Sequence, residues 1–141
     1  MKRYYYIDTC IWLNLFKKEG DETKGEPYFK IAYKFIEKET LNIRYSGIVL
    51  KELQFILNDE IKFKEKKQLF KDFFEFVKLN EKDYDLARNY EFENNSIISF
   101  YDYLHIAICK NNNFILITRD KDLIETAKKY IDVKKPEEIL V

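Results

Sequence analysis

Glycine and proline are scarce, three and two in 141 residues, which leaves no stretch able to serve as a flexible or polyproline linker. No segment is low in complexity either, so a single domain spanning residues 1–141 is expected, long enough to bury a sizeable core. There are two cysteines, Cys10 and Cys109, each inside an apolar segment and neither at metal-site spacing. They exclude a disulfide scaffold and read as buried thiols in a reducing cytoplasm. The one histidine, His105, gives no Ser/His/Asp arrangement any specificity. No apolar run approaches the roughly 20 residues needed to span a bilayer, so no membrane segment is expected. Lys2 and Arg3 are followed by no small-residue cleavage site, which argues against a signal peptide. Charge of one sign is also missing: 25 basic residues balance 25 acidic ones, and composition alone does not announce a nucleic-acid binder.

What the chain does have is an apolar share of 46% and a charged share of 35%, the balance of a folded globular protein. RYYYI (3–7) is rich in aromatic and β-branched residues and predicts a short strand. Thr9 could cap a helix running to about Lys18. KKEGDETKGEP predicts a loop carrying Gly20, Gly25 and Pro27, and Pro27 suits the first turn of a helix over YFKIAYKFIEKE. NIRYS (42–46) predicts a second strand, followed by a helix around IVLKELQFIL. Helices are expected over 60–78, Lys-rich and amphipathic, and over 81–94. SIISFYDYLHIAICK is apolar nearly all round and predicts a central helix. FILIT (114–118) has the pattern of a buried strand, DKDLIETAKKY of a helix, and IDVKK of a last strand. Strands alternating with helices imply an α/β fold, a three-layer α/β/α sandwich around a parallel sheet.

Four carboxylates sit in unexpected places. Asp8 interrupts an apolar run, Glu52 lies between large hydrophobes, Asp102 stands inside the most apolar helix, and Asp120 follows FILIT directly. Asp8 and Asp120 both stand just past the C-terminal end of a predicted parallel strand, the edge where open α/β sheets bind ligands. Glu52 lies six residues beyond NIRYS, about a turn and a half along a helix starting there. Clustered carboxylates repel and need a positive partner. Hard cations such as Mg²⁺ prefer such oxygen ligands, and a cation so held can activate water for attack on a phosphodiester.

Each acid also has a plainer reading. Asp8 and Asp120 are favoured helix N-caps, and Glu52 could pair with Lys51 at the surface. Asp102 resists such a reading: it is placed in mid-helix, with no Lys or Arg within four residues. His105, one turn later, could orient a carboxylate or touch RNA, or be a satisfied buried histidine. Trp12, Leu13 and Phe16 read as core. Arg119 could grip a phosphate in two places or form a surface salt bridge. Lys62, Lys64, Lys66, Lys67 and Lys71 form a solvated face or an RNA-backbone contact. Aromatics beyond the needs of the core could stack on unpaired bases or build a dimer interface.

In order and context these motifs resemble the PIN domain: Asp8 in YIDT, Ser46 to Glu52 in SGIVLKE, Asp102 in FYDYLHIAIC, and Thr118 to Asp120 in TRDKDL. The resemblance implies a Mg²⁺- or Mn²⁺-dependent endoribonuclease of the VapC type, cytoplasmic, with an antitoxin partner and a homodimeric state. It implies that Asp8, Glu52, Asp102 and Asp120 form the acidic site, with Asp122 as the substitute for Asp120. Thr9, with Ser46 or Thr118, would hydrogen-bond those carboxylates. Cys10 departs from the family, which often has Asn there. Two other readings are a PIN-like module that binds RNA or protein without cleaving, and phosphoryl transfer to an Asp at a strand end. The latter wants a second acid near Asp8, where Cys10 stands.

Overall fold

The computed structural model describes residues 2–20 and 25–141, so positions 21–24 of the predicted loop lie outside the described residues. Five strands form one all-parallel sheet: β1 (Tyr5–Ile7), β2 (Ile43–Tyr45), β3 (Glu75–Phe76), β4 (Ile115–Ile117) and β5 (Val133–Lys134), in the order β3-β2-β1-β4-β5. The helices are α1 (Thr9–Phe16), α2 (Tyr28–Glu39), α3 (Gly47–Leu57), α4 (Glu60–Phe73), α5 (Glu81–Glu93), α6 (Phe100–Asn112), α7 (Lys121–Ala127) and α8 (Pro136–Leu140). A parallel sheet must be covered on both faces, and the result is the three-layer α/β/α sandwich that the alternation of elements predicts. The inner strands bury Tyr6, Ile7, Ile43, Tyr45, Leu116 and Ile117, and α6 is buried without a break from Tyr103 to Cys109.

Helix starts follow the local chemistry. The side chains of Ser46, Asp59, Asn80, Ser99 and Asp120 each accept a hydrogen bond from a first-turn amide of the helix that follows. Asn58 and Asn113 end α3 and α6 in the left-handed conformation that asparagine tolerates. Trp12 packs on Phe16, Phe70 and Phe74, with ring centroids 6.0, 4.5 and 5.1 Å away, an aromatic cluster that pins α1 to α4.

The structure corrects the sequence reading at several points. The helix expected over 60–78 stops at Phe73, and Glu75–Phe76 then joins the sheet edge. The Arg44–Glu75 ion pair, 3.2 Å long, marks that pairing; FFEFVK carries no breaker, so periodicity runs straight through the boundary. Pro27 precedes α2 as its N-cap residue instead of sitting in its first turn. The N-cap of α1 is Asp8, not Thr9, and its side chain makes no capping bond. The helix expected from Ser96 starts at Phe100, behind a turn in which Asn95 and Ser96 have positive φ. Asp102 is therefore in the first turn of α6, not in mid-helix. The short helix α8 was not expected.

Candidate metal centre

The parallel register sets Ile7 beside Ile117, so the residues that follow the two strands, Asp8 and Thr118, leave the sheet side by side. The Asp8 amide donates to the Ile117 carbonyl at 2.9 Å, and the Thr118 hydroxyl donates to Asp8 Oδ2, also at 2.9 Å. Asp8 is thereby held at 5% exposure, with its carboxylate turned away from the amides of its own helix. Cys10 Sγ lies 3.4 Å from the same Thr118 hydroxyl.

Two helices bring the other groups. Glu52, from the second turn of α3, places Oε1 where two donors meet it: Thr9 Oγ1 at 2.8 Å and His105 Nε2 at 2.7 Å. Among the described residues Glu52 Oε2 accepts no hydrogen bond. On the far side of the imidazole, Nδ1 lies 2.7 Å from the Tyr6 hydroxyl, which lies 2.6 Å from Ser46 Oγ. Ser46 Oγ in turn accepts from the Ile48 amide at 3.3 Å. Ligand atoms of Asp8, Glu52 and His105 all fall within 4.8 Å of one another.

Charge accumulates here without a cationic side chain to match it. Among the described residues no Lys or Arg pairs with Asp8, Glu52 or Asp102; His105 Nε2 lies 2.7 Å from Glu52 and 3.9 Å from Asp8. Burial, with the charges of Asp8 and Glu52, pushes the Asp102 carboxyl up to about 6, against smaller opposing effects of His105 and the Ser99 hydroxyl. Burial alone would raise Glu52, but the His105 and Thr9 hydrogen bonds hold it below the ordinary carboxylate range. Burial would likewise lower His105, yet Glu52 first, then Asp8 and Asp102, raise it. Burial and the Asp8 charge push the Cys10 thiol up to about 12, which keeps it protonated and leaves it no role as a thiolate. Asp8 and Glu52 each have one oxygen fixed by protein donors and, among the described residues, no hydrogen bond on the other; with Asp102 close enough to feel both charges, this donor set fits a hard divalent cation.

The remaining candidates fall elsewhere. Asp120 is exposed, and its Oδ1 caps α7 by accepting from the Asp122 and Leu123 amides at 3.0 and 3.2 Å. It connects to the cluster through its own amide, which donates to Thr118 Oγ1 at 3.1 Å. Asp122 is exposed in the first turn of α7. Ser46 bonds Tyr6 rather than a carboxylate. Arg119, 12% exposed, pairs with Glu137 of α8 at 2.8 Å and lies over the Tyr28 ring at 4.1 Å. Its Nε and Nη2 are buried and have no hydrogen-bond partner among the described residues. A groove of about 590 Å³ adjoins Glu52, lined by Lys51, Gln54, Phe55, Ile56 and Tyr101. Tyr6, whose aromatic character alone says strand, is the member of this hydrogen-bonded network that sequence reasoning missed.

Solved structures share this fold. A chain of the VapBC2 complex from Rickettsia felis, bound to a DNA fragment from its promoter, is 20% identical with a TM-score of 0.70 over 94% of this chain and 98% of its own. A chain of DNA-bound VapBC from Salmonella typhimurium is 14% identical with a TM-score of 0.71, over 96% and 99%. VapC20 of Mycobacterium tuberculosis, a toxin that cleaves the sarcin-ricin loop, is 15% identical with a TM-score of 0.67, over 92% and 98%. No curated protein matches the chain in sequence. The PIN domain family model, however, matches residues 5–129, and the residues it spans include every acid of the cluster. The chain belongs to the PIN domain family.

Proposed function

We propose that this protein is a metal-dependent endoribonuclease, the toxin of a toxin–antitoxin pair, which hydrolyses RNA phosphodiester bonds at the Asp8–Glu52–Asp102 cluster. The observation that carries this reading is the convergence of carboxylates from the end of one strand and from two helices at the C-terminal rim of the sheet, with no Lys or Arg among the described residues paired to them. Asp8 and Glu52 would hold Mg²⁺ or Mn²⁺ through their free oxygens, with Asp102 completing the set. Such a cation supplies Lewis acidity: it activates water and offsets charge on the phosphoryl oxygens. Thr118, Thr9 and His105 aim the two carboxylates and restrict their rotation, so that the site is set before substrate arrives. Phe55, 85% exposed in the adjoining groove, offers a face for an unpaired base. Membership of the PIN family supports the nuclease, and likeness to chains of VapBC complexes supports an antitoxin partner.

The test is cleavage of single-stranded RNA by the purified protein with and without Mg²⁺ or Mn²⁺. Products should carry 5′-phosphate and 3′-hydroxyl ends, and Asp8→Asn or Glu52→Gln should lower the rate at least about 100-fold with the fold intact. Normal cutting by both variants at matched metal concentration would overturn the reading.

A further inference from the structure

By distance alone the site has a second character. The ligand atoms of Asp8, Glu52 and His105 lie within 4.8 Å of one another, and two carboxylates with one imidazole suit Zn²⁺ or Fe²⁺ better than Mg²⁺. To ligate, however, Nε2 of His105 needs a free lone pair. We propose that Tyr6, through His105, is a metal-selectivity residue: it fixes the imidazole as a hydrogen-bond donor to Glu52 and thereby confines the site to hard cations that take oxygen ligands. This deepens the cation-site reading above and rests on it.

Proton accounting carries the inference. A 2.7 Å contact between Nε2 and an ionised Glu52 Oε1 requires a hydrogen between them, and it must come from the imidazole. In the neutral ring Nδ1 is then an acceptor, and the Tyr6 hydroxyl at 2.7 Å supplies its hydrogen. The Tyr6 oxygen accepts from Ser46 Oγ at 2.6 Å, and Ser46 Oγ accepts from the Ile48 amide. Every donor has one acceptor, and no group is left over. In the imidazolium the two hydroxyl bonds reverse, with Nδ1 donating to Tyr6 and Tyr6 to Ser46, while Nε2 keeps its hydrogen. Neither charge state leaves a lone pair for a metal. Tyr6, Ser46 and His105 are all 0% exposed, so water cannot substitute for a missing member. Loss of the Tyr6 hydroxyl would leave Nδ1 without a donor, take away one of the two bonds that favour the Nε2–H tautomer, and so make Nε2 easier to free as a ligand.

Because the chain has a single histidine, one imidazole gives all the signals when the full-length protein is labelled with ¹⁵N-histidine. Long-range ¹H–¹⁵N spectra of the metal-free wild type should show a protonated Nε2, unchanged when Mg²⁺ is added. In Tyr6→Phe the ratio of Zn²⁺ to Mg²⁺ affinity, measured by calorimetry, should rise about 10-fold or more, with Nε2 losing its hydrogen in the Zn²⁺ form. Ser46→Ala, which keeps both rings, should shift the ratio the same way by less, and it preserves the test should Tyr6→Phe not fold. An Nδ1–H tautomer in the metal-free wild type, a coordinated Nε2 in its Mg²⁺ form, or an affinity ratio unmoved by the substitutions would overturn the assignment. Absence of any Mg²⁺ response around the site would instead overturn the cation-site reading, a distinct result.

Discussion

Replacing Asp102 by asparagine should make the metal-free protein more stable. The Asp102 carboxyl is partly buried among Asp8 at the end of β1, Glu52 on α3 and His105 on α6, and it is pushed from an ordinary 3.8 up to about 6. Its folded-state pKa is raised, so the stability it contributes is present below about pH 4 and lost as pH rises through about 6. A displacement of about 2 pH units corresponds to roughly 3 kcal/mol at neutral pH. Because the group is partly open to water, about 1–2 kcal/mol is the expected gain on removing the charge. For a chain of this size that is an increase in Tm of roughly 3–8 °C. The substitution is conservative where it matters structurally: the backbone amide keeps its bond to Ser99 Oγ, and an asparagine side-chain oxygen can still face that hydroxyl. The assay is thermal unfolding of both proteins in EDTA from pH 4 to 7.5. Their difference should be near zero at pH 4 and grow to its full value by pH 7, and Mn²⁺ should raise the Tm of the wild type but not of the variant. A variant of equal or lower Tm at pH 7.5, or a difference that does not change with pH, would refute the reasoning.

Two further outcomes follow from particular bonds. Thr118→Val removes the donor to Asp8 Oδ2, so Mn²⁺ affinity measured by calorimetry should fall about 10-fold while the metal-free urea midpoint drops by the equivalent of about 1 kcal/mol; a stability loss with unchanged affinity would mean that Thr118 only supports the sheet. Glu137→Ala takes from Arg119 its carboxylate partner, leaving a largely buried guanidinium over the Tyr28 ring with no other ion-pair partner among the described residues, and should cost about 1–2 kcal/mol in urea unfolding; an unaltered midpoint would show that α8 is not held by this pair.

How much of this was legible beforehand varies with the kind of signal. The inner strands could be read because a parallel sheet buries both faces, and YYYI and FILI show this as unbroken apolar runs. The edge strand β3 could not: two residues give no period, and FFEFVK continues the helical pattern of α4. Asp8, Glu52 and Asp102 stood out because each breaks an apolar segment. The relay behind them did not, since the contacts from Tyr6 to Ser46 and from Tyr6 to His105 span 40 and 99 residues. A tyrosine among tyrosines carries no mark of its partner. His105 was visible one turn beyond Asp102, but its bond to Glu52, 53 residues away, depends on how α3 and α6 cross the same sheet rim.

Asp8 and Asp120 make the last distinction. Both are aspartates at the end of an inner strand and at the N-cap of the next helix, so local sequence offers them the same capping bond, worth about 1 kcal/mol. Asp120 takes it with both first-turn amides it can reach. Asp8 forgoes it, remains nearly buried, and accepts instead from a hydroxyl one strand away. A fold selected only for stability would cap both helices. That Asp8 sacrifices its cap, in the same cluster where the Asp102 charge is costly, is the pattern expected where a stabilising arrangement has been given up to keep carboxylate oxygens open for a cation.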